Sequence, residues 1–333
     1  IEVSVEGLIK YQGKPINKFY IEGLDALQGR YGIATNNISA KDVATVQVLE
    51  NHQPVKALEK TQPSSDAAIN LKLKDEVKGT FSMTAQLGLG YDGRVRSSEE
   101  LIGLYFSKLR KHVLTAKSND NGEDIRRDLR SFTADSPLTS LTMTSLQQPD
   151  EPRISRPRYY DNDTHAFSSN NLYKLKNEAE LNANLIFFHD RERTHGASQT
   201  TYFLPEGTKV ISEDLRNHGT IDQLEGELRY NINKEQLYFN NLLELKASWE
   251  QEHGIVSAGE DLTQQMRQRY LSSTNTSHWV RTKADGKGGE ILWRNAVVTS
   301  PHRLSIQPGL YAPRINGGAP YAELTQDVRH RAF

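Results

Sequence analysis

Apolar and polar positions alternate with a period of two over much of the chain after residue 79. Leu224, Gly226, Leu228, Tyr230 and Ile232 fall on one face, and Glu225, Glu227, Arg229, Asn231 and Asn233 on the other. After Lys234-Glu235-Gln236, the residues Phe239, Asn241, Leu243, Leu245, Ala247 and Trp249 alternate with Asn240, Leu242, Glu244, Lys246, Ser248 and Glu250. Successive strand side chains point to opposite faces, so the pattern predicts two strands of about ten residues joined by a tight turn. The same texture predicts strands at 80–91, 100–108, 165–174, 180–189, 289–300 and 302–307. Polar stretches at about 120–160, 191–218 and 251–278 read as long loops.

The first 78 residues read differently, as a compact α+β unit. Tyr11-Gln12-Gly13-Lys14-Pro15 is a turn, and Lys18-Phe19-Tyr20-Ile21 a strand closed by Glu22-Gly23. Ser39, with Asp42 three residues on, predicts a helix start. Val43–Leu49 predicts a strand with one apolar face, 53–58 a short helix, and Ile69, Leu71 and Leu73 a half-buried strand. The expected organisation is therefore an α+β unit over 1–78 and antiparallel strands over 79–333.

An apolar face opposite a charged face means that one side of the sheet is wet. In a soluble sandwich the apolar face meets a core; in a transmembrane barrel it meets lipid, and the polar face lines the lumen. Trp249 and Tyr230 stand near strand ends, where a barrel carries its aromatic girdles. Alternating short and long connections also favour the barrel, because a compact soluble domain seldom has three long polar loops. The mean hydropathy of -0.66 suits both readings, since half of each barrel strand is polar. No run of about 18 apolar residues exists to make a transmembrane helix. The net charge of -1 argues against a general nucleic-acid binder. The chain has no cysteine, which excludes disulfides and thiolate metal sites.

The run IEGLDALQGRYGIATNNISAKDVATVQVLENHQPVKALEK from Ile21, continuing to AINLKLK, resembles the distal half of the plug domain of TonB-dependent outer-membrane receptors of the Bacteroidetes type. The segments SRPRYYDNDTHAFSSNNLYKLK, SQTTYFLPEGT and PGLYAPRINGGAPYAEL are similar to barrel and loop segments of that group. The resemblance implies a mainly β protein: an antiparallel transmembrane β-barrel, incomplete in this chain, with an N-terminal α+β plug. It implies a receptor and transporter in a Gram-negative outer membrane, and an unknown nutrient ligand taken up by plug rearrangement. The implied partners are the periplasmic TonB energy-coupling complex, a surface lipoprotein and outer-membrane lipid, with no nucleic acid and no cofactor. No TonB box and no first part of the plug are visible. The residues after Gly79 supply roughly eight to ten strands at barrel spacing. The expectation is a fragment of a larger protein or a shortened relative. The alternatives are a soluble or surface-exposed β-rich binding module and, least favoured, a hydrolase.

Several constellations invite a chemical reading and are assigned a plainer one. His189 and His195 bracket Asp190 and Glu192, but their i, i+6 spacing lacks the one-face geometry of a helical His pair, so a solvated loop is expected. Glu225 and Glu227 sit in a charged row with Arg229, Lys246 and Glu250, which predicts a hydrated sheet face. Gly88 and Gly90 lie inside a strand pattern and predict a bend or a close plug contact. Gly286-Lys287-Gly288-Gly289 reads as a hairpin turn. Arg153, Arg156, Arg158, Tyr159 and Tyr160 form a solvated outer loop with some capacity for an anionic or sugar ligand. No catalytic, metal or cofactor residue is assigned, no enzyme activity is expected, and no ligand-binding residue is named.

Overall fold

The computed structural model describes residues 1–4, 7–125, 146–259, 261–283, 287–307 and 323–333. Near the N-terminus, β1 (Glu2–Val3), β2 (Ile9–Tyr11) and β3 (Lys14–Pro15) form a small antiparallel sheet. Its β2–β3 turn is made by Gln12 and Gly13, both at positive φ, as a two-residue hairpin turn requires. A second sheet has the order β4 (Lys18–Ile21), β6 (Ala68–Leu73), β5 (Val43–Leu49), with β4 parallel and β5 antiparallel to β6. A short helix, α1 (Gly32–Asn37), lies between β4 and β5.

The rest is one antiparallel meander in which each strand pairs with its chain neighbours. Its strands are β7 (Phe81–Tyr91), β8 (Val95–Phe106), β9 (Arg110–Asn119), β10 (Asp161–Lys174), β11 (Ala179–Leu204), β12 (Gly207–Asn233), β13 (Leu237–Ser257), β14 (Asp261–Thr282), β15 (Gly288–Ile306) and β16 (Leu324–Ala332). β7 and β16 form its two edges and are not paired with each other. No described helix is long and apolar enough to cross a membrane, which says nothing about crossing by strands.

On several strands of this sheet polar side chains are buried while apolar ones on the opposite face are exposed. Along β11, Asn182, Asn184 and Asp190 are 3–6% exposed, whereas Leu185 and Phe187 are 44% and 41% exposed. On β10, Asn162, Thr164, Ser168 and Asn170 are buried; on β14, Gln264, Gln268, Ser272 and Thr274 are buried while Leu271 and Trp279 face out. The outward apolar positions continue through Met83, Leu87, Leu114, Leu224, Leu228, Leu245, Ile291 and Val297.

At the short-turn end the outward band closes on aromatic residues. Ile232, Phe239, Trp279 and Ile291 stand opposite one another across four strands, and Tyr230 and Trp293 follow one step further along theirs. At the other end of β13, Trp249 is the last large apolar residue before Gln251 and His253. From Phe239 to Trp249 is about 33 Å along the strand, or about 25 Å of height at a barrel tilt of roughly 45°.

Several expectations change here. The stretches 191–218 and 251–278 are strands, not loops: β11 and β12 run to a turn at 205–206, and β13 and β14 almost to one another. Above the apolar band the outer face is mostly polar and the inner face mixes polar residues with apolar ones such as Leu215, Val256 and Leu262, so the regular period-two signal is lost while the backbone ladder persists. The two segments 289–300 and 302–307 are the single strand β15, and β9 and β16 carry no clear pattern in the sequence. The expected helix start at Ser39 is only a 3-10 turn over Ala40–Asp42, and Ser39 makes no capping hydrogen bond. The short helix at 53–58 is likewise a 3-10 turn, Lys56–Leu58. The apolar face expected of β5 is not buried: Val46 is 48% exposed, because β5 is an edge strand. Gly88 and Gly90 touch no residue of the N-terminal unit; a Cβ at Gly88 would meet Ser98 at 3.5 Å, an ordinary contact. In the stretch 286–289, residue 286 lies outside the described residues, while Gly288 and Gly289 begin β15.

Candidate functional site

The polar inner face of the sheet is covered by the N-terminal unit, and their junction has an apolar half and a polar half. In the apolar half, Ile102, Leu104 and Phe106 of β8 and Val113 of β9 share one cluster with Ile9, Ile16, Phe19, Ile21, Leu27, Tyr31, Ile33, Ile69 and Leu73. These are the inner positions of β8 and β9, apolar where an apolar core meets them, whereas the inner face of β10 and β11 mixes Asn162, Asn170, Asn182 and Asn184 with Leu172, Ile186 and Phe188. A second contact packs Ala57 and Leu58 with Val280 of β14.

The polar half centres on Arg30 and Glu227. Arg30 Nη1 donates to Glu227 Oε2 at 3.1 Å and Nη2 to Oε1 at 2.5 Å, a bidentate pair. The side chains are 4% and 16% exposed. Asn184 Nδ2 donates to Glu227 Oε2 (3.1 Å) and to Gln28 Oε1 (3.2 Å), tying β11 into the same group. Near the short-turn end, Asn233 Nδ2 donates to the Pro54 carbonyl at 2.8 Å and its Oδ1 accepts from the Lys56 N–H at 3.0 Å.

Beside these bonds lies a polar cavity of about 550 Å³ between the unit and β10–β13, lined among others by Lys18, Tyr20, Asp25, His52, Glu180, Arg229 and Tyr238. Lys18 Nζ is 2.6 Å from Asp25 Oδ2. Burial pushes the Asp25 carboxyl up, but Lys18, Arg229 and the Gln28 N–H outweigh it and hold the group below its usual range. Burial and the nearby Asp25 and Glu180 raise the Tyr20 phenol. Burial, and then Lys18, lower the His52 imidazole. Its contacts suit the neutral ring: with Nδ1–H donating to Asn17 Oδ1 (3.0 Å), Nε2 accepts from the Tyr20 hydroxyl (3.2 Å). Asn17 Nδ2 in turn donates to the His52 carbonyl, which fixes the amide orientation.

At the long-strand end, residues 146–160 fold over the inner face. Leu146 is buried, and Asn217 Nδ2 donates to the Gln147 carbonyl at 2.8 Å. The Tyr160 hydroxyl lies 2.5 Å from Glu192 Oε2 and 3.2 Å from Asp190 Oδ2, under the Arg156 guanidinium, whose carbon sits 3.9 Å from the ring centre. Burial and Glu192 raise the Tyr160 phenol.

The structure separates the constellations flagged in the sequence. His189 and His195 lie on strand β11 rather than in a loop and face outward, each with its own carboxylate: His189 Nδ1 is 2.6 Å from Asp222 and His195 Nε2 2.8 Å from Asp214. Among the described residues no group of three His, Cys, Asp or Glu side chains could hold a metal ion. Glu227, expected on a hydrated face, is instead covered by Arg30, because the N-terminal unit sits on that face. Arg156 and Tyr160 meet as part of the 146–160 segment, with Arg156 also 3.4 Å from Asp124. The partnership of Arg30 with Glu227 escaped the sequence: 197 residues separate them, and only the charge at an inner strand position hinted at a partner. No protein-family model matches this chain, and no curated protein matches it either.

Proposed function

We propose that the chain is the plug-bearing part of an outer-membrane transport receptor: the ten-stranded sheet is barrel wall, and the N-terminal unit is a plug seated on its lumen face. The observation that carries this reading is that Asn, Ser, Thr and Gln are buried on the inner face among apolar residues such as Leu172 and Phe188, while Leu, Phe and Trp are exposed on the outer face, over about 33 Å of strand, or about 25 Å of height at a barrel tilt of roughly 45°, bounded by aromatic residues. In water such an outer face is an aggregation hazard; in lipid it is the stable arrangement. Both sheet edges, β7 and β16, need partners in a bilayer, where each unpaired backbone group costs several kcal/mol.

Uptake by plug rearrangement fits the mixed junction. The polar half, Arg30 with Glu227 and Asn184, is breakable by competing water or ligand, and the cavity around His52 and Asp25 supplies hydrated space beside it. The TonB complex, a surface lipoprotein and the nutrient belong to this reading as its partners. Phase separation in a cloud-point detergent tests it: the protein partitions into the detergent phase, and recovery in the aqueous phase supports the rival soluble binding module.

A further inference from the structure

At the long-strand rim of the outward apolar band, three adjacent strands bring five arginines together: Arg267 and Arg269 on β14, Arg303 on β15, and Arg329 and Arg331 on β16. All five are exposed. Arg267 stands directly opposite Arg303, an arrangement in which like charges destabilise a sheet. Asp327, opposite Arg303 on the next strand, pairs with it at 2.7 Å and also lies near Arg329, and Glu323 is a second acid near Arg303. Arg267, Arg269, Arg329 and Arg331 form no ion pair with a described residue.

The surroundings are amphipathic. Trp249 is directly opposite Arg269, and Leu271, 55% exposed, is the next outward residue below it. The outer face of β14 thus passes from Arg269 to Leu271 within two residues, before the polar positions Ser273, Asn275 and Ser277 and then Trp279. Its other end carries a single outward arginine, Arg281, beyond Trp279. Arg267 and Arg269, without an ion pair to any described residue, on the edge of an outward face that carries Trp249 and Leu271, fit a ligand whose anionic head and acyl chains are joined. Guanidinium groups bind phosphate in a forked geometry, and Trp and Leu fit the chains below.

We infer that the outer face of β14–β16 at the long-strand end is a docking site for a phosphorylated lipid headgroup of the surrounding leaflet, with Arg267 and Arg269 as its centre. The inference rests on the barrel reading above. The site would fix the height of this wall in the bilayer and neutralise the Arg267–Arg303 repulsion.

Lipid retention by the full chain in mild detergent, followed by native mass spectrometry, tests this. The probes are a bis-phosphorylated disaccharide lipid and, as the neutral-headgroup comparison, phosphatidylcholine. The wild type is expected to retain the phosphorylated lipid preferentially. At about fivefold per arginine, Arg267→Gln/Arg269→Gln should lower its retention about 25-fold. Arg281→Gln, on the same strand beyond the other rim, should leave it unchanged, and Arg267→Lys/Arg269→Lys should keep most of it. Equal retention of both lipids by the wild type overturns the inference without any variant, as does retention by the double glutamine variant equal to wild type. A protein that needs detergent but ignores the phosphates overturns this site alone; a protein that stays in water without detergent overturns the barrel reading and the site with it.

Discussion

Removing the Glu227 carboxylate should loosen the N-terminal unit from the sheet more than any comparable surface change. Glu227→Ala leaves the Arg30 guanidinium, 4% exposed, without its counter-charge and without two hydrogen bonds. Breaking a buried pair from one side costs about 3–5 kcal/mol. A charge separation near 4 Å at an effective dielectric of 20 gives about 4 kcal/mol, the same range. Asn184 loses one of its two acceptors and keeps Gln28, so its share is at the lower end of a neutral hydrogen bond, about 0.5–1.5 kcal/mol. The undocking equilibrium should therefore rise by about two to three orders of magnitude or more. Hydrogen exchange at the Lys56 backbone amide, which donates to Asn233 Oδ1 across the junction, read where reclosing outpaces chemical exchange, measures that change. Arg30→Met/Glu227→Met should recover most of the loss, because an apolar pair of similar volume replaces a buried ion pair at little cost. Glu227→Ala protection within about 0.5 kcal/mol of wild type, or a double variant that merely sums the single losses, would refute the view that this pair clamps the unit.

Three further outcomes follow from the same architecture. Ile102→Ala, at a 1% exposed position in the apolar half of the junction, should destabilise by about 2–5 kcal/mol in chemical denaturation, whereas Val46→Ala on the exposed edge strand should change stability by no more than about 0.5 kcal/mol. Leu245→Arg, on the outer face at 48% exposure, should cost about 2–4 kcal/mol in a lipid-reconstituted folding titration, because that position faces hydrocarbon; a change under about 0.5 kcal/mol would mean that it faces water. His52 is lowered in the folded protein, so the unfolded chain binds more protons once the pH falls below its ordinary value of 6.5. Stability of the N-terminal unit is therefore complete above that pH and declines below it until the folded imidazole itself titrates. The decline between pH 6.5 and 5 in thermal melting should shrink in His52→Gln, and an unchanged slope would show that the ring is solvated.

What the sequence revealed and what it hid divide at the edge of the outward apolar band. The β12–β13 hairpin was legible because Leu224 to Ile232 and Phe239 to Trp249 sit where one strand face meets an apolar phase and the other a polar one. Residues 191–218 read as a loop because polar residues occur on both faces there, with only scattered apolar ones such as Leu215, which blurs the alternation without removing the ladder. Helix α1 was invisible in GIATNN, where β-branched Ile33 and Thr35 and the two Asn residues have weak helix propensity and its place is set by tertiary contacts around Tyr31 and Ile33. Ser39 with Asp42 had the chemistry of a helix cap but only one 3-10 turn to cap. The inner face misled most: Glu227 looked like part of a hydrated row, and nothing local tells that Arg30 covers it.

The central claim is that the outer face of the sheet contacts lipid, and the tryptophans test it directly. The chain has three, Trp249, Trp279 and Trp293, all outward and 40–59% exposed, at the two rims of the apolar band. In bilayers of brominated phosphatidylcholine, intrinsic fluorescence should be strongly quenched, most by bromines near the headgroup end of the acyl chain, and insensitive to aqueous iodide. Full emission in brominated bilayers together with efficient iodide quenching would place all three in water and contradict the account.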